Sequence, residues 1–549
     1  MSKNISKLSE RKGLKNNLFE SLGLAAEKNN GTPTETDLKK IAEEFLLGKA
    51  IPYGTATFYD FLKPENQNKK VYICNGSACL CSGKQEALKK NLKQYFSDEE
   101  IGHMTCLGRC HENGAFHYNG HNYSAKSEDE IEKIFKQNKT PNKDLYHIDG
   151  THKILTGSFD FDAFNALLNK SLSQSKEALL QEIKTSEIRG RGGAGFPMGI
   201  KWEACKNEIA DTKFIICNAD EGDPGAYSDR YLLENQPYAV LFGMLIAGYI
   251  TGAQWGVLYI RAEYPESVEI INKAIKQLAE NKLIGDNILN TGFNFNFKVI
   301  KARGAYICGE ETALINSIEG QRPEVRTRPP YPTQQGLFLK PTIVNNVETL
   351  AAVPYILKNG GKAYASLGTE KSKGTKLVCL DSFFNKPGVY EIEMGTPLNK
   401  IFNDFGGGLK SKVKAFQIGG PLGGIVPASF IDKLTLDFES FALNGFLLGH
   451  ASVVSIPEDF PMIKYLEHLF EFAAYESCGK CFPCRLGTKR GHELISKSIN
   501  ENYQIDKNLM NDLLETLTSG SLCAHGGGIP LPVKNVLQHF ELELKPYFK

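Results

Sequence analysis

Cys478, Cys481 and Cys484 form one C-x2-C-x2-C run, and Cys523 follows inside Ser521-Leu522-Cys523. Four thiolates in that arrangement can hold a cubane iron–sulfur cluster: the close triplet binds three irons and the distant cysteine the fourth. Zinc also accepts four thiolates, but its usual spacing is two separated C-x2-C pairs. Disulfides fit less well, because neighbours three residues apart gain little from loop closure. A second constellation pairs Cys74 with Cys79 (C-x4-C) and Cys106 with Cys110 (C-x3-C). Cys74 ends an expected strand, Val71-Tyr72-Ile73, and Gly108 lies between the second pair, so both pairs fall on loops that can fold around a metal. Two pairs suit a [2Fe–2S] rhomb, one pair per iron; zinc is the alternative here. Cys81 is near enough to compete as a ligand and is read as a bystander. The chemistry indicated is electron transfer.

Three glycine-rich loops add a second kind of chemistry. The first runs Arg189-Gly190-Arg191-Gly192-Gly193-Ala194-Gly195-Phe196-Pro197. It contains a formal G-x-G-x-x-G but follows a helical stretch (Ala178 to Ile188) rather than a strand, so it fails the context test for a dinucleotide fingerprint. Its glycines still let backbone N–H groups approach phosphate oxygens, with Arg191 and Lys201 supplying positive charge. A glycine-rich turn without a ligand is the bland alternative. The second loop, Cys217 to Gly225, follows the strand at Phe214-Ile215-Ile216; the third, Gly304 to Thr312, follows Phe297 to Ile300. Loops at the carboxyl ends of strands are where open α/β sheets bind ligands. The acidic pairs Asp220-Glu221 and Glu310-Glu311, set among glycines, suit ribose hydroxyls and a ring N–H.

The elements that must position these residues divide into an α/β succession. Among 549 residues, 64 basic and 63 acidic side chains leave a formal charge of +1, so nucleic acid and anionic membrane are not expected as main partners. The most apolar stretch, Tyr238 to Ile250, is shorter than the roughly 18 residues of a membrane span and is interrupted by Gly243 and Gly248. Thirteen cysteines behind a polar N-terminus without an apolar signal core read as metal ligands in a reducing compartment, the cytoplasm. Leu14, Leu18 and Leu22, then Leu38, Ile41 and Phe45, show helical periodicity, with Thr36 as the expected N-cap of the second helix. A small α/β unit follows, with a helix from Gln85 to Phe96 and a hairpin turning at Asn119-Gly120. Lys136 to Lys143 reads as linker. Strands at 214–216 and 257–260 then alternate with helices such as Val268 to Ala279. A β-rich insert at about 375–450 and a helical end complete the chain.

With these residues identified, a resemblance is specific. The runs Arg189 to Trp202, Asn218 to Arg230, Tyr259 to Pro265, Tyr306 to Gly320, Val344 to Thr349 and Glu476 to Cys481 resemble the NADH-binding flavoprotein (51 kDa-type) subunit of respiratory complex I and its soluble relatives. Residues 1–135 resemble the thioredoxin-like [2Fe–2S] (24 kDa-type) subunit of the same module. Fusion of the two resembles the diaphorase subunit of soluble NAD-reducing hydrogenases and the beta subunit of NAD-dependent formate dehydrogenases. The chain stops 26 residues after Cys523, so the extra ferredoxin domain of many electron-bifurcating hydrogenase subunits, which are related, is not expected.

The resemblance implies a multidomain α/β architecture: an N-terminal helical segment (1–62), a thioredoxin-like [2Fe–2S] domain (63–135), a linker (136–150), a Rossmann-like FMN- and NADH-binding domain (151–370), a β-grasp (ubiquitin-like) domain (371–455) and a C-terminal helical bundle with the [4Fe–4S] cluster (456–549). It implies FMN, NAD(H), one [4Fe–4S] and one [2Fe–2S] cluster as cofactors. Gly190, Gly192, Lys201, Asn218, Asp220, Gly309, Glu310, Glu311, Asn345 and Asn346 would hold FMN, with Arg191, Gly193, Gly195 and Tyr306 in the same cradle. Phe196 would stack on the nicotinamide or adenine. Glu221 and Glu311 would contact NADH, and Asp223 would join them at the hydride step. Asp223 replaces the glutamate usual in complex I chains, and Ala204 stands where an aromatic wall is expected. The insert containing Gly419-Gly420-Pro421-Leu422-Gly423-Gly424 is expected to serve spacing and packing. Cys205, Cys217, Cys308 and Cys379 read as buried apolar residues, and His525 is not counted as a ligand. The implied function is an NADH dehydrogenase (diaphorase) subunit of a heteromeric oxidoreductase, with a hydrogenase, formate dehydrogenase or complex I-like partner; in the last case it would be peripheral to the inner membrane. An electron-bifurcating flavoprotein, an NADH-independent iron–sulfur relay and a zinc-stabilised scaffold are the alternatives.

Overall fold

The computed structural model describes residues 13–15, 17–140 and 146–549. The chain begins with helices Leu18–Lys28, Glu35–Glu44 and Ala50–Ala56. Thr34, not Thr36, caps the second: its hydroxyl accepts the Asp37 N–H at 3.2 Å while the Asp37 carboxylate accepts the Thr34 N–H at 3.0 Å. This reciprocal capping box satisfies two otherwise orphaned donors, which a threonine two residues later cannot do. The apolar faces of these helices do not build a core of their own. Leu18, Phe19 and Leu22 pack with Ile300, Ile315 and Ile318 of the central domain, and Asn17 Nδ2 donates to the Ile318 carbonyl at 2.7 Å.

The small α/β unit is a four-stranded sheet in the order Ile101–Met104, Val71–Cys74, Phe116–Tyr118, His121–Tyr123. The first pair is parallel and the other two are antiparallel. Asn119 and Gly120 carry φ of 47° and 77°, the left-handed pair that a two-residue hairpin demands.

The central domain has four parallel strands in the order Asn296–Lys301, Trp255–Ile260, Phe214–Ala219, Thr342–Asn346. The apolar stretch seen in the sequence is helix Pro237–Thr251, buried on nearly every side. Its glycines have a packing reason: a Cβ at Gly243 would lie 2.2 Å from the Leu350 carbonyl oxygen. Among the described residues no helix is long and apolar enough to cross a membrane.

A six-stranded sheet follows, in the order Gly424–Pro427, Val413–Ile418, Ser452–Pro457, Thr375–Leu380, Gly388–Glu393, His147–Gly150. Its last strand corrects the linker expected at 136–150. Helix Glu128–Gln137 occupies the start of that stretch, residues 141–145 lie outside the described residues, and residues 147–150 pair in parallel with Gly388–Glu391. Glu391 secures this edge, its carboxylate accepting the N–H groups of Ile154, Leu155 and Thr156 at 2.9 Å each. Helices Met462–Tyr475, Phe482–Asn500, Lys507–Gly520 and Pro530–His539 form the C-terminal bundle.

Candidate functional site

The glycine loop is a pinched turn. Gly190 N–H donates to the Phe196 carbonyl at 2.8 Å, and Arg189 bridges to Pro197. Gly193 and Gly195 have φ of 117° and 62°, a region that side chains resist. A Cβ at Gly192 would stand 3.1 Å from Asn346 Cβ, and one at Gly193 would stand 3.6 Å from Gly449. The loop thus lies between the end of strand Thr342–Asn346 and a turn of the six-stranded sheet. Phe196 projects from it with 50% of its surface exposed, free to meet a ring. Arg191, in the same loop, is buried; its Nη2 donates to the Tyr364 hydroxyl at 3.0 Å and to the Lys373 carbonyl, while its Nε and Nη1 are buried without a hydrogen-bond partner. Lys201 is the more accessible basic group of the pair.

The acidic loops converge opposite. Asn218 Nδ2 donates to the Gly309 carbonyl at 2.8 Å, joining the second loop to the third. Asp220 is buried and its Oδ2 has no hydrogen-bond partner; burial pushes its carboxyl well above the usual range, against the pull of Arg261. A buried orphan acceptor beside open glycine backbone asks for a donor from outside the chain. Lys201 Nζ reaches Glu311 Oε2 at 3.3 Å and the Val344 carbonyl at 3.0 Å, and Arg328 holds the other Glu311 oxygen at 3.2 Å. Glu310 is an N-cap, accepting the Thr312 and Ala313 N–H groups at 2.9 Å. Asn346 caps the next helix through the Glu348 N–H at 2.9 Å and donates to Asp229 at 2.7 Å. Asn345 Oδ1 accepts from Trp202 Nε1 at 2.9 Å.

Glu221 lies in the second loop. Its carboxylate is fully buried and accepts the Asp229 N–H at 2.9 Å, the Arg230 N–H at 3.2 Å and the Tyr264 hydroxyl at 3.1 Å. It ties the loop to helix Ser228–Asn235. Burial, then the Asp229 carboxylate, push its pKa to about 7. Asp223 sits nearer the opening, accepting from the Tyr306 hydroxyl at 3.1 Å; burial raises its pKa while His450 lowers it.

The six-stranded sheet supplies residues that the sequence did not assign to the site. A Cβ at Gly420 would fall 2.3 Å from Asp223 Oδ1, so this glycine is a wall of the site and more than a spacer. His450 Nε2 lies 3.6 Å from Asp229 Oδ2 and 3.8 Å from Glu221 Oε1. Burial alone would lower its pKa, but the Asp229 and Glu221 carboxylates lift it to about 9. It is a lone histidine in a segment read as packing, with no spacing pattern to single it out.

The thiols gather in two groups. Cys74, Cys79, Cys106 and Cys110 are all buried, with Cys106 and Cys110 sulfurs 3.5 Å apart and Cys74 interacting with both Cys79 and Cys106. Cys110 Sγ also accepts the Gly225 N–H of the second glycine-rich loop at 3.2 Å. Cys81 faces Asp381 instead, outside this group. In the bundle, Cys481 caps helix Phe482–Asn500, Cys484 lies in its first turn, and Cys523 caps Ala524–Gly528. Cys523 packs against the same hydrophobic cluster as Cys478, and the charges of Cys478, Cys481 and Cys523 act on Cys484. Burial pushes Cys484 up to about 12 and Cys523 up to about 11. His525 Nε2 is committed to the Ala473 carbonyl at 2.8 Å. Cys205, Cys217, Cys308 and Cys379 are buried.

Comparison with known proteins bears on this geometry. The Nuo51 FMN-binding domain family matches residues 183–355, the NADH-ubiquinone oxidoreductase-F iron-sulfur binding region matches 464–547, and the thioredoxin-like [2Fe-2S] ferredoxin family matches 3–139. The chain is 40% identical to the HndC subunit of the NADP-reducing hydrogenase of Solidesulfovibrio fructosivorans, over 69% of this chain and 78% of that one. It is 38% identical to the F subunit of the NADH-quinone oxidoreductase of Escherichia coli, over 68% of this chain and 85% of that one. Its fold is similar to a chain of an NAD+-reducing [NiFe]-hydrogenase crystallised in the H2-reduced state, with a TM-score of 0.85, 28% identity, and coverage of 96% and 93%. The orphaned Asp220 oxygen, the glycine cradle and the two thiol groups fit FMN and two iron–sulfur centres. The chain belongs to the family of FMN-binding, iron–sulfur flavoprotein subunits that includes the F subunit of NADH-quinone oxidoreductase, here joined to a thioredoxin-like [2Fe–2S] ferredoxin domain.

Proposed function

We propose that the chain is an NADH dehydrogenase (diaphorase) subunit, exchanging a hydride between NAD(H) and bound FMN and passing electrons singly through its iron–sulfur centres to or from a partner oxidoreductase. Bound FMN supplies the passage between two-electron and one-electron chemistry. One observation carries the reading: a cysteine of one thiol group, and the segment leading into the other, both bond to the flavin-side loops. Gly225 of the second loop donates to Cys110, and Glu476, two residues before Cys478, accepts the Tyr306 N–H of the third loop at 2.8 Å.

In this reading Gly190, Gly192, Gly193 and Gly195 admit the phosphate, and Asn218, Asp220, Tyr306, Gly309, Glu310, Asn345 and Asn346 surround the rest of FMN. Phe196 stacks on the incoming ring. Lys201 and Glu311 orient the nucleotide, and Asp223, fixed by Tyr306, borders the place of hydride exchange. Glu221 and Arg191 act from behind, holding the loops in shape. Cys478, Cys481, Cys484 and Cys523 hold the [4Fe–4S] cluster; Cys74, Cys79, Cys106 and Cys110 hold the [2Fe–2S] cluster. The six-stranded sheet is read as the β-grasp domain, extended by the strand at 147–150. The partner is a hydrogenase, formate dehydrogenase or complex I-like assembly, and the cytoplasm, or the inner-membrane periphery for the last of these, is the location.

The test is anaerobic purification followed by NADH and, in parallel, NADPH, because one relative belongs to an NADP-reducing hydrogenase. Flavin bands bleached by NADH, with turnover of ferricyanide or a viologen, are expected. A flavin-replete preparation that NADH does not bleach overturns the reading.

A further inference from the structure

Arg261 stands just after strand Trp255–Ile260 and is buried. Its guanidinium donates to the Glu221 carbonyl at 2.6 Å, the Thr105 carbonyl at 3.1 Å and the Glu263 carboxylate at 2.6 Å. The first acceptor belongs to the loop beneath the flavin cradle. The second immediately precedes Cys106, so the guanidinium is hydrogen-bonded to the backbone of the ligand loop itself. Glu263 ties in the same unit again, because its carbonyl accepts from Asn122 Nδ2 of the small hairpin. Gly225 adds an N–H donor to Cys110 from the same flavin-side loop. Each cysteine of the C-x3-C pair therefore receives a polar influence from the neighbouring domain.

We propose that Arg261 is a positioning residue that locks the binuclear-cluster loop onto the flavin-side loop and sets the reduction potential of that centre from outside its own domain. The inference rests on the assignment of a [2Fe–2S] cluster to Cys74, Cys79, Cys106 and Cys110. Reduction adds negative charge to a cluster, so a nearby guanidinium and N–H donors to its sulfurs favour the reduced state and raise the potential. A carboxylate at the same site does the opposite. Arg261 and Glu263 are thus opposed levers on one centre, with the arginine reaching the ligand loop directly.

The experiment is an EPR-monitored redox titration of the full chain, in the parent and in three variants. In Arg261→Gln the ratio of reduced to oxidised cluster at a fixed potential should fall about tenfold, equivalent to about 59 mV for one electron. Arg261→Lys, which keeps the charge, should retain most of the parent potential. Glu263→Gln should move the potential the other way, upward, so the proposal stays testable if the glutamine variant at 261 does not fold. An unchanged potential in Arg261→Gln, a lysine variant that falls as far as the glutamine variant, or a Glu263→Gln potential that drops overturns it. A parent protein that contains zinc and no binuclear EPR signal overturns the cluster assignment beneath it instead.

Discussion

Replacing His450 by glutamine should weaken the protein in a way that depends on pH. The imidazole lies between two fully buried carboxylates, 3.6 Å from Asp229 and 3.8 Å from Glu221. Asp223 faces it as a further negative group, and Lys376, the nearby cation, is already paired with Glu348. Burial opposes its charge, but the two carboxylates lift its pKa to about 9. A histidine whose folded pKa is raised contributes stability that is fully present below its unfolded pKa of about 6.5, and loses it as pH rises through the folded value. Across that window the contribution is about 3 kcal/mol, at 1.36 kcal/mol per pKa unit. Glutamine fits the space but carries no charge, leaving the buried Asp229 carboxylate without its cationic partner. Urea unfolding of the flavin-loaded protein, followed by flavin fluorescence, gives the comparison. The gap between parent and variant should be largest near about pH 6 and nearly closed at about pH 9.5. An equal gap at both pH values would refute the idea that His450 acts as a charge, and would leave it a packing residue.

Two further outcomes are expected. Cys481→Ser should remove or strongly perturb the tetranuclear EPR signal while leaving NADH-driven flavin bleaching in stopped flow largely intact, because this cysteine lies in the bundle, outside the flavin cradle; an unaltered signal would strike it from the ligand set. Asn346→Ala removes a helix cap and the 2.7 Å donor to Asp229, together about 1–2 kcal/mol. It should weaken FMN binding to the apoprotein about tenfold by fluorescence titration, whereas unchanged affinity would place Asn346 outside the cradle's support.

Much of this chemistry was legible in the sequence because it is local. Cysteine spacing along a few residues sets which metal centres are geometrically open, and glycine runs mark where backbone must approach something closely or take positive φ. The Asn119-Gly120 turn and the parallel strands at 214–219 and 255–260 likewise follow from short-range patterning. Even there the boundary residues slipped: Thr34 rather than Thr36 closes a capping box, because reciprocity with Asp37 decides the cap.

What only the tertiary structure decided is direction and company. Arg191 and Glu221 have the right types in the right loops, and both are buried where Tyr364, the Lys373 carbonyl and the Asp229 and Arg230 N–H groups offer them partners. Residues 147–150 fall within the stretch expected as linker and become a strand because Gly388–Glu391, some 240 positions away, leaves an edge to fill. The N-terminal helices find their core against Ile300 and Ile318 of another domain. Gly420 and His450 reach the site only when the six-stranded sheet closes over it. Spacing along the chain encodes local geometry and ligand sets. Which distant surface a buried charge or apolar face meets depends on how whole sheets pack, and that information is spread over hundreds of residues.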